Sequence, residues 1–295
     1  MLSLKISDLS TAELQNYLQY AIAPRPICFA STIDKSGNVN LSPFSFFNMF
    51  STNPPVCIFS PARRVRDNTT KHTLENVLEV PECVINIVNY DMVQQTSLAS
   101  VEYSKGINEF QKAGFTELKS ELVKPPRVAE APVQFECVVN DVISLGKNAG
   151  AGNLILAEIK LIHINEEILD ADGKINQEKI DLVARLGGDW YCRVTKENLF
   201  KVAKPVRTIG IGVDSLPENI RYSKILTGNN LGQLGNVEHL PSLQEIEECN
   251  KNPQVHDFLK GLVENSPDRE LKLHSFAKDF LEKGDVQTAW SILMS

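Results

Sequence analysis

The sequence predicts a mainly β protein, an antiparallel barrel with added helices, followed by a helical C-terminal extension. Three observations predict it. Strand-like runs in the first 200 residues are joined by hairpins and short helices, not by regular strand–helix–strand alternation, which favours a closed antiparallel barrel over a doubly wound parallel sheet. Two long alternating segments, 133–145 and 154–164, suit paired barrel strands. From residue 238 the pattern turns helical, with stretches at 242–250, 254–265, 268–282 and 285–294 separated by Pro253, Pro267 and Gly284. The expected division is 1–203 for the barrel domain and 204–295 for an extended connection plus the helical extension.

Each element has a local reason. Ser10 followed by Glu13 forms a capping-box pattern, and Leu14, Tyr17, Leu18 and Ala21 then recur on one face up to Pro24, so a short amphipathic helix opens the chain. Residues 27–33 are a β-rich run, 34–38 supply turn residues, and 39–48 continue as a second extended segment, which together predict a hairpin. Residues 56–60 predict a third strand, 70–78 a helix, and 83–88 a fourth strand rich in Val and Ile. Asn68-Thr69-Thr70 matches a glycosylation sequon but reads as the start of that helix. Short helices are expected at 91–100 and 107–113, and 204–236, with its Gly and Asn, reads as an extended connection.

Composition excludes several classes. Hydrophobic residues are 42% and charged residues 23% of the 295, and 16 Gly and 15 Pro are too few for a fibrous or low-complexity chain, so a folded globular protein is expected. With 30 basic and 37 acidic residues the net charge is −7, and no net positive field is available for nucleic acid or an anionic membrane. Six cysteines at 28, 57, 83, 137, 192 and 249 form no CxxC pair and no zinc spacing with His, so reduced thiols and no metal are expected. Neither a signal-peptide pattern nor an apolar run of about 18 residues is visible, and a cytoplasmic protein is expected.

Two constellations carry chemistry. In 40–48, Asn40, Ser42, Ser45 and Asn48 alternate with apolar Leu41, Pro43, Phe44 and Phe47, offering edge hydrogen bonds and flat apolar faces to a heteroaromatic ring. The same stretch also reads as a barrel strand whose Phe residues fill the core. The second, running from Ser60 through Arg63, Arg64 and Arg66 to Lys71, His72 and Thr73, gathers cations at a helix start, where unpaired N–H groups favour phosphate. A solvated charged loop is the alternative. Other signals are weaker: Gly210-Ile211-Gly212 lacks the third glycine of a dinucleotide fingerprint, 146–152 reads as a hairpin turn, and Cys28, Cys83 and Cys137 read as core thiols. His163 reads as structural, and Cys57 as a strand thiol near the site, with a redox role as the rival reading.

Together these residues resemble a known family. Ala23-Pro24-Arg25-Pro26, Ser31-Thr32, the 40–48 stretch, Asn53-Pro54-Pro55, Ser60, Arg63, Lys71-His72-Thr73, Glu82-Cys83-Val84-Ile85-Asn86 and Arg185-Leu186-Gly187-Gly188-Asp189-Trp190-Tyr191 are similar to the flavin reductase-like family of FMN-binding split-barrel proteins, which includes flavoredoxin. The resemblance covers about residues 15–203, and His72 stands where the family commonly has Asp. It implies an FMN-binding split β-barrel homodimer with peripheral helices, which takes hydride from NADH or NADPH and passes electrons to an acceptor protein or a flavin-dependent monooxygenase. A flavoredoxin-type carrier reduced by a partner protein is the alternative. The resemblance carries ring contacts onto Asn40, Leu41, Ser42, Pro43, Ser45, Phe47 and Asn48, and phosphate contacts onto Ser60, Arg63, Lys71 and Thr73; Ser31 and Thr32 line the same cleft. The 185–191 loop is expected to close over flavin or nicotinamide.

Overall fold

Helix α1 (Thr11–Ala21) of the computed structural model begins as its capping box dictates: the Ser10 hydroxyl accepts the Glu13 N–H, and the Glu13 carboxylate accepts the Ser10 N–H at 2.9 Å. The structure describes residues 1–205, 207–264 and 266–295. They divide into two units, Met1–Phe200 and Lys201–Ser295.

In the first unit, β1 (Cys28–Ile33), β2 (Val39–Phe44), β3 (Phe47–Thr52), β4 (Pro55–Phe59) and β5 (Glu82–Ile87) are interrupted by α2 (His72–Glu79). Helices α3 (Val93–Leu98) and α4 (Glu109–Ala113) follow, then the short strands β6 (Glu117–Leu118) and β7 (Arg127–Val128). Long strands β8 (Val133–Ser144) and β9 (Asn153–Ile164) pair as their alternation predicts, and β10 (Val183–Arg185) pairs with β11 (Tyr191–Arg193). Seven strands make one antiparallel sheet in the order β2-β1-β5-β8-β9-β4-β3.

That order determines the shape of the sheet. Strands β2 and β3 are its two edges, yet only Ser45 and Phe46 separate them in the chain. Laid flat, the sheet would hold its edges roughly 29 Å apart at about 4.8 Å per strand. The chain from Phe44 to Phe47 spans at most about 11 Å. The sheet therefore curls until its edges approach each other. Among the described residues no ladder joins β2 to β3, so the expected closed barrel is corrected to a curled sheet with an open seam. The reason is that β2 pairs with β1 and β3 with β4, so the chain passes from one edge of the sheet to the other without the two edges pairing. The single extended segment expected at 39–48 accordingly splits in two.

Both faces of the sheet are covered. Cys28, Ala30, Phe44, Cys57, Phe59, Cys83, Ile85 and Cys137 form one core, and Phe29, Leu41, Met92, Phe110 and Phe115 another. On β1, successive side chains serve opposite cores, which explains its run of buried residues. Burial pushes the Cys28 thiol up, and the Cys57 thiol up to about 11. Both are therefore protonated at neutral pH, which disfavours the redox reading of Cys57.

Glu136 is a buried carboxylate with a clear task. It accepts the N–H groups of Glu121 at 2.8 Å and Leu122 at 2.6 Å, and meets His163 Nε2 at 2.7 Å, pinning the segment between β6 and β7 to β8. His163 is thus structural, as expected.

Helix α2 starts at His72 and not at 70, because Asn68, after the turn at 65–67, adopts a left-handed φ of 58° and 68–70 are held non-helical by Arg63 and Arg64.

The second unit is helical, as the sequence predicts: α5 (Glu218–Arg221), α6 (Gly228–Gly235), α7 (Leu243–Asn250), α8 (Pro253–Lys260), α9 (Arg269–Glu282) and α10 (Val286–Leu293). Its core gathers Leu216, Ile220, Leu226, Leu234, Leu281, Trp290 and Ile292. The extended connection expected over 204–236 is corrected here. Thr227 caps α6 through a capping box with Asn230, and Leu216, Ile220, Leu226 and Leu234 anchor the segment in the core. Gly210 packs against the Gly235 carbonyl, where an added Cβ would lie 2.6 Å from the oxygen, so the Gly-Ile-Gly motif answers to packing. Residue 206 of that connection and residue 265, the end of the expected 254–265 helix, lie outside the described residues. No helix among the described residues is long and apolar enough to cross a membrane.

Candidate functional site

The pairing of β1 with β2 sets Asn40 opposite Thr32 and Leu41 opposite Ser31. From this register the Asn40 amide donates to Thr73 Oγ1 at 2.9 Å and Thr32 Oγ1 at 3.5 Å, while Asn76 donates to Thr32 Oγ1 at 3.1 Å. These buried bonds clamp the first turn of α2 against the sheet. Lys71, the N-cap residue, supplies no side-chain cap, so the positive end of the helix is not neutralised by its own sequence.

A polar cleft opens at this helix start, lined by Asn40, Ser42, Arg64, Lys71, His72, Thr73, Glu102, Tyr103 and Glu109 among others. Arg64 and Arg66 each reach Glu102 at 2.7 Å, and Lys71 lies 3.9 Å from it. Arg66 also pairs with Asp67 at 3.1 Å. Arg64 and Lys71 thus share the cleft lining with Glu102 and Glu109, and the free N–H groups at the start of α2 add partial positive charge. Burial and the nearby Arg64 push the Lys71 ammonium below its usual pKa, with Glu102 opposing them. Glu109 accepts the Leu41 N–H at 2.9 Å, and burial pushes its carboxyl up. The arrangement suits an anionic group held by a helix N-terminus and two flanking cations.

Of the thirteen residues singled out in the sequence, Asn40, Ser42, Lys71 and Thr73 line this cleft, and Thr32 stands directly behind it. The rest lie elsewhere. Ser31 is buried, with its hydroxyl donating to the Pro126 carbonyl, and Leu41 sits in the core. Pro43 follows on β2; Ser45 lies at the seam, where Arg25 Nε donates to its hydroxyl at 3.4 Å. Phe47 is half-buried against the core of the curled sheet, and Asn48 is exposed on β3. Ser60 Oγ accepts the Asn153 N–H at 3.1 Å. Arg63 donates to Asn68 Oδ1 at 2.6 Å and Asn68 O at 2.5 Å, so its guanidinium is spent within its own loop.

Residues not singled out also contribute. Arg64 carries the cation at the cleft; the basic cluster signalled it, but only the fold distinguishes it from Arg63. Glu102 and Tyr103 come from the stretch after α3 and carry no sequence signal. Arg25 donates to the carbonyls of Gln19, Ile22 and Leu186 as well as to Ser45, tying the end of α1, the 185–191 loop and the seam together.

The profile of the family described as "Flavin reductase like domain" matches residues 20–179. The chain belongs to the flavin reductase like family. A relative from Aquifex aeolicus is 39% identical to this family member over 181 residues, covering 61% of this chain and 90% of the relative. Among solved structures, nitrilotriacetate monooxygenase component B from Bacillus cereus is 27% identical, with a TM-score of 0.64, covering 68% of this chain and 98% of that one. A protein from Shewanella frigidimarina NCIMB 400, assigned as a flavin reductase with a split barrel domain, is 25% identical with a TM-score of 0.57 and covers 67% of this chain and 96% of that one. The family match ends before the Lys201–Ser295 unit begins.

Proposed function

We propose that this flavin reductase like chain is a cytoplasmic split-barrel flavoprotein that binds FMN without a covalent link. It takes hydride from NADH or NADPH and passes the electrons to an acceptor. The observation that carries the reading is the convergence of Asn40, Ser42, Lys71 and Thr73, with Arg64, at the uncapped start of α2. The residues fit the cofactor: Lys71, Arg64 and the first-turn N–H groups of α2 would hold a phosphate, while Asn40 and Ser42 of β2, with Ser45 just beyond it, would offer hydrogen bonds to the edge of a flat ring.

The hydride chemistry is supplied by the flavin ring when bound. The chain's own residues bind and orient. Phe47 flanks the seam as an apolar surface, and Arg25 holds Ser45 and the 185–191 loop in fixed relation. No side chain has to act as acid or base. The solved relative named as a component of nitrilotriacetate monooxygenase supports a partner monooxygenase as the acceptor.

The test is anaerobic rapid mixing of FMN-loaded protein with NADH and with NADPH. Prompt bleaching of the flavin by either one is expected. Bleaching only when a reduced donor protein is added would overturn the reductase in favour of a flavoredoxin-type carrier.

A further inference from the structure

A second cleft, distinct from the one at α2, lies between α3 and the β10–β11 hairpin. It holds about 380 Å³ and is lined by Val93 and Val183, by Tyr90 and Tyr191, and by Arg185 and Arg193. Its volume falls among those of small-molecule sites, and its mixture of apolar, aromatic and charged groups is typical of them. Each tyrosine ring carries a guanidinium, Arg185 at 4.6 Å from the Tyr191 centroid and Arg193 at 3.7 Å from that of Tyr90.

The two arginines differ in one respect that matters for binding. Arg193 is matched by Asp181 through two bonds of 2.7 Å. Arg185 donates only to neutral acceptors, Tyr191 Oη at 2.5 Å and the Gly188 carbonyl at 2.6 Å. Among the described residues no carboxylate forms an ion pair with it. Its side chain is therefore fixed in place, charged and still supplied with free N–H donors, the condition that lowers the entropic cost of holding an anion.

A second unmatched charge lies beside it. The backbones of Arg25 and Arg185 pair at 2.9 and 2.8 Å, and among the described residues the buried Arg25 guanidinium meets only carbonyls and the Ser45 hydroxyl. Burial and the charge of Arg185 both depress its pKa. An anion at Arg185 would relieve both cations.

We propose that this cleft binds a planar aromatic anion, its ring against the tyrosine and valine side chains and its anionic group on Arg185. Asp189 also lines the cleft and favours a ligand that carries a hydroxyl or amino donor away from its anionic end. A nucleoside monophosphate and a hydroxylated aromatic carboxylate share this chemistry. The cleft shares Arg185, Asp189 and Tyr191 with the loop expected to close over flavin or nicotinamide, so the test is run with FMN already bound; the inference asks nothing of hydride transfer.

Cys192 provides the measurement, being a half-buried free thiol in the cleft lining, while half-buried Cys249 in the other unit serves as internal control. The full chain, saturated with FMN, is alkylated with iodoacetamide, and the two rates are followed by peptide mass spectrometry with AMP, adenosine or 4-hydroxybenzoate present. At ten times its dissociation constant, a ligand that shields the thiol should slow Cys192 about tenfold and leave Cys249 unchanged. Protection by AMP alone identifies a nucleotide ligand, and protection by 4-hydroxybenzoate alone an aromatic acid; either supports the site. Arg185→Gln should abolish the protection and Arg185→Lys should retain part of it. An unchanged Cys192 rate with both anions overturns the proposal, as does equal protection by adenosine and AMP, a comparison made on the unmodified chain and independent of how the variants fold.

Discussion

Lys71 is the residue on which the phosphate end of the site depends, because it is half-buried, N-terminal to an uncapped helix and only 3.9 Å from its nearest carboxylate. Removing it deletes one charge-assisted contact, about 1.5 kcal/mol or roughly tenfold in affinity. Lys71→Ala should therefore weaken FMN about tenfold in a fluorescence titration and leave riboflavin, which has no phosphate, unchanged; equal losses would move the anion site elsewhere. Glu136 gives a pH dependence. Burial pushes its carboxyl up, but the Glu121 and Leu122 N–H groups and His163 outweigh this and hold its pKa below the usual carboxylate range. Such a group contributes stability that is complete above the unfolded pKa of about 4.3 and is lost as pH falls through the depressed folded value. Urea unfolding should show Glu136→Gln less stable than the parent near neutrality, the gap narrowing below about pH 4; a gap independent of pH would deny the carboxylate this role. At this scale the sequence is legible where a residue type has one use. Asn40 and Thr73 were marked by their polarity beside a strand and a helix start. Arg63 and Arg64 are chemically identical neighbours and both bond to residues 68–70, and only the fold brings Arg64 to Glu102 and into the cleft lining.

Elements were easier to read than their connections. Strands β8 and β9 and the helices α7, α9 and α10 follow from periodicity and caps that lie within the segments themselves. The seam was not legible, because the break at Ser45–Phe46 comes from which strands pair across the sheet and not from the local pattern of 39–48. The order of the seven strands depends on contacts distant in sequence, and the β10–β11 hairpin is too short to give a periodic signal. The loop in that hairpin carries a testable fit. Tyr20 of α1 lies against Gly187 so closely that an added Cβ would stand 2.3 Å from its ring carbons. Gly187→Ala should cost about 1–3 kcal/mol as overpacking in urea denaturation. In the background of Tyr20→Ala most of that cost should vanish, giving a coupling of about 1 kcal/mol or more; additive effects would mean that the contact does not hold the loop.

The whole molecule leaves two exposed apolar stretches unexplained by a single chain. Tyr17, Leu18, Tyr20 and Ile22 of α1 and its C-terminal end, and Met49 and Phe50 on edge strand β3, are all about half exposed or more. An edge strand with exposed apolar side chains invites pairing, in keeping with the homodimer that we propose for this chain. Light scattering after size exclusion should give the mass of two chains, and Phe50→Asp should shift it to one; a parent of one-chain mass would exclude the dimer. The central claim is that FMN lies along β2 with its phosphate at the start of α2. Its most direct measurement is the visible absorption spectrum of the protein after incubation with FMN and removal of free flavin by gel filtration. The account predicts flavin bands that elute with the protein at about one FMN per chain and are reduced in Lys71→Ala. A colourless protein after that treatment would contradict it.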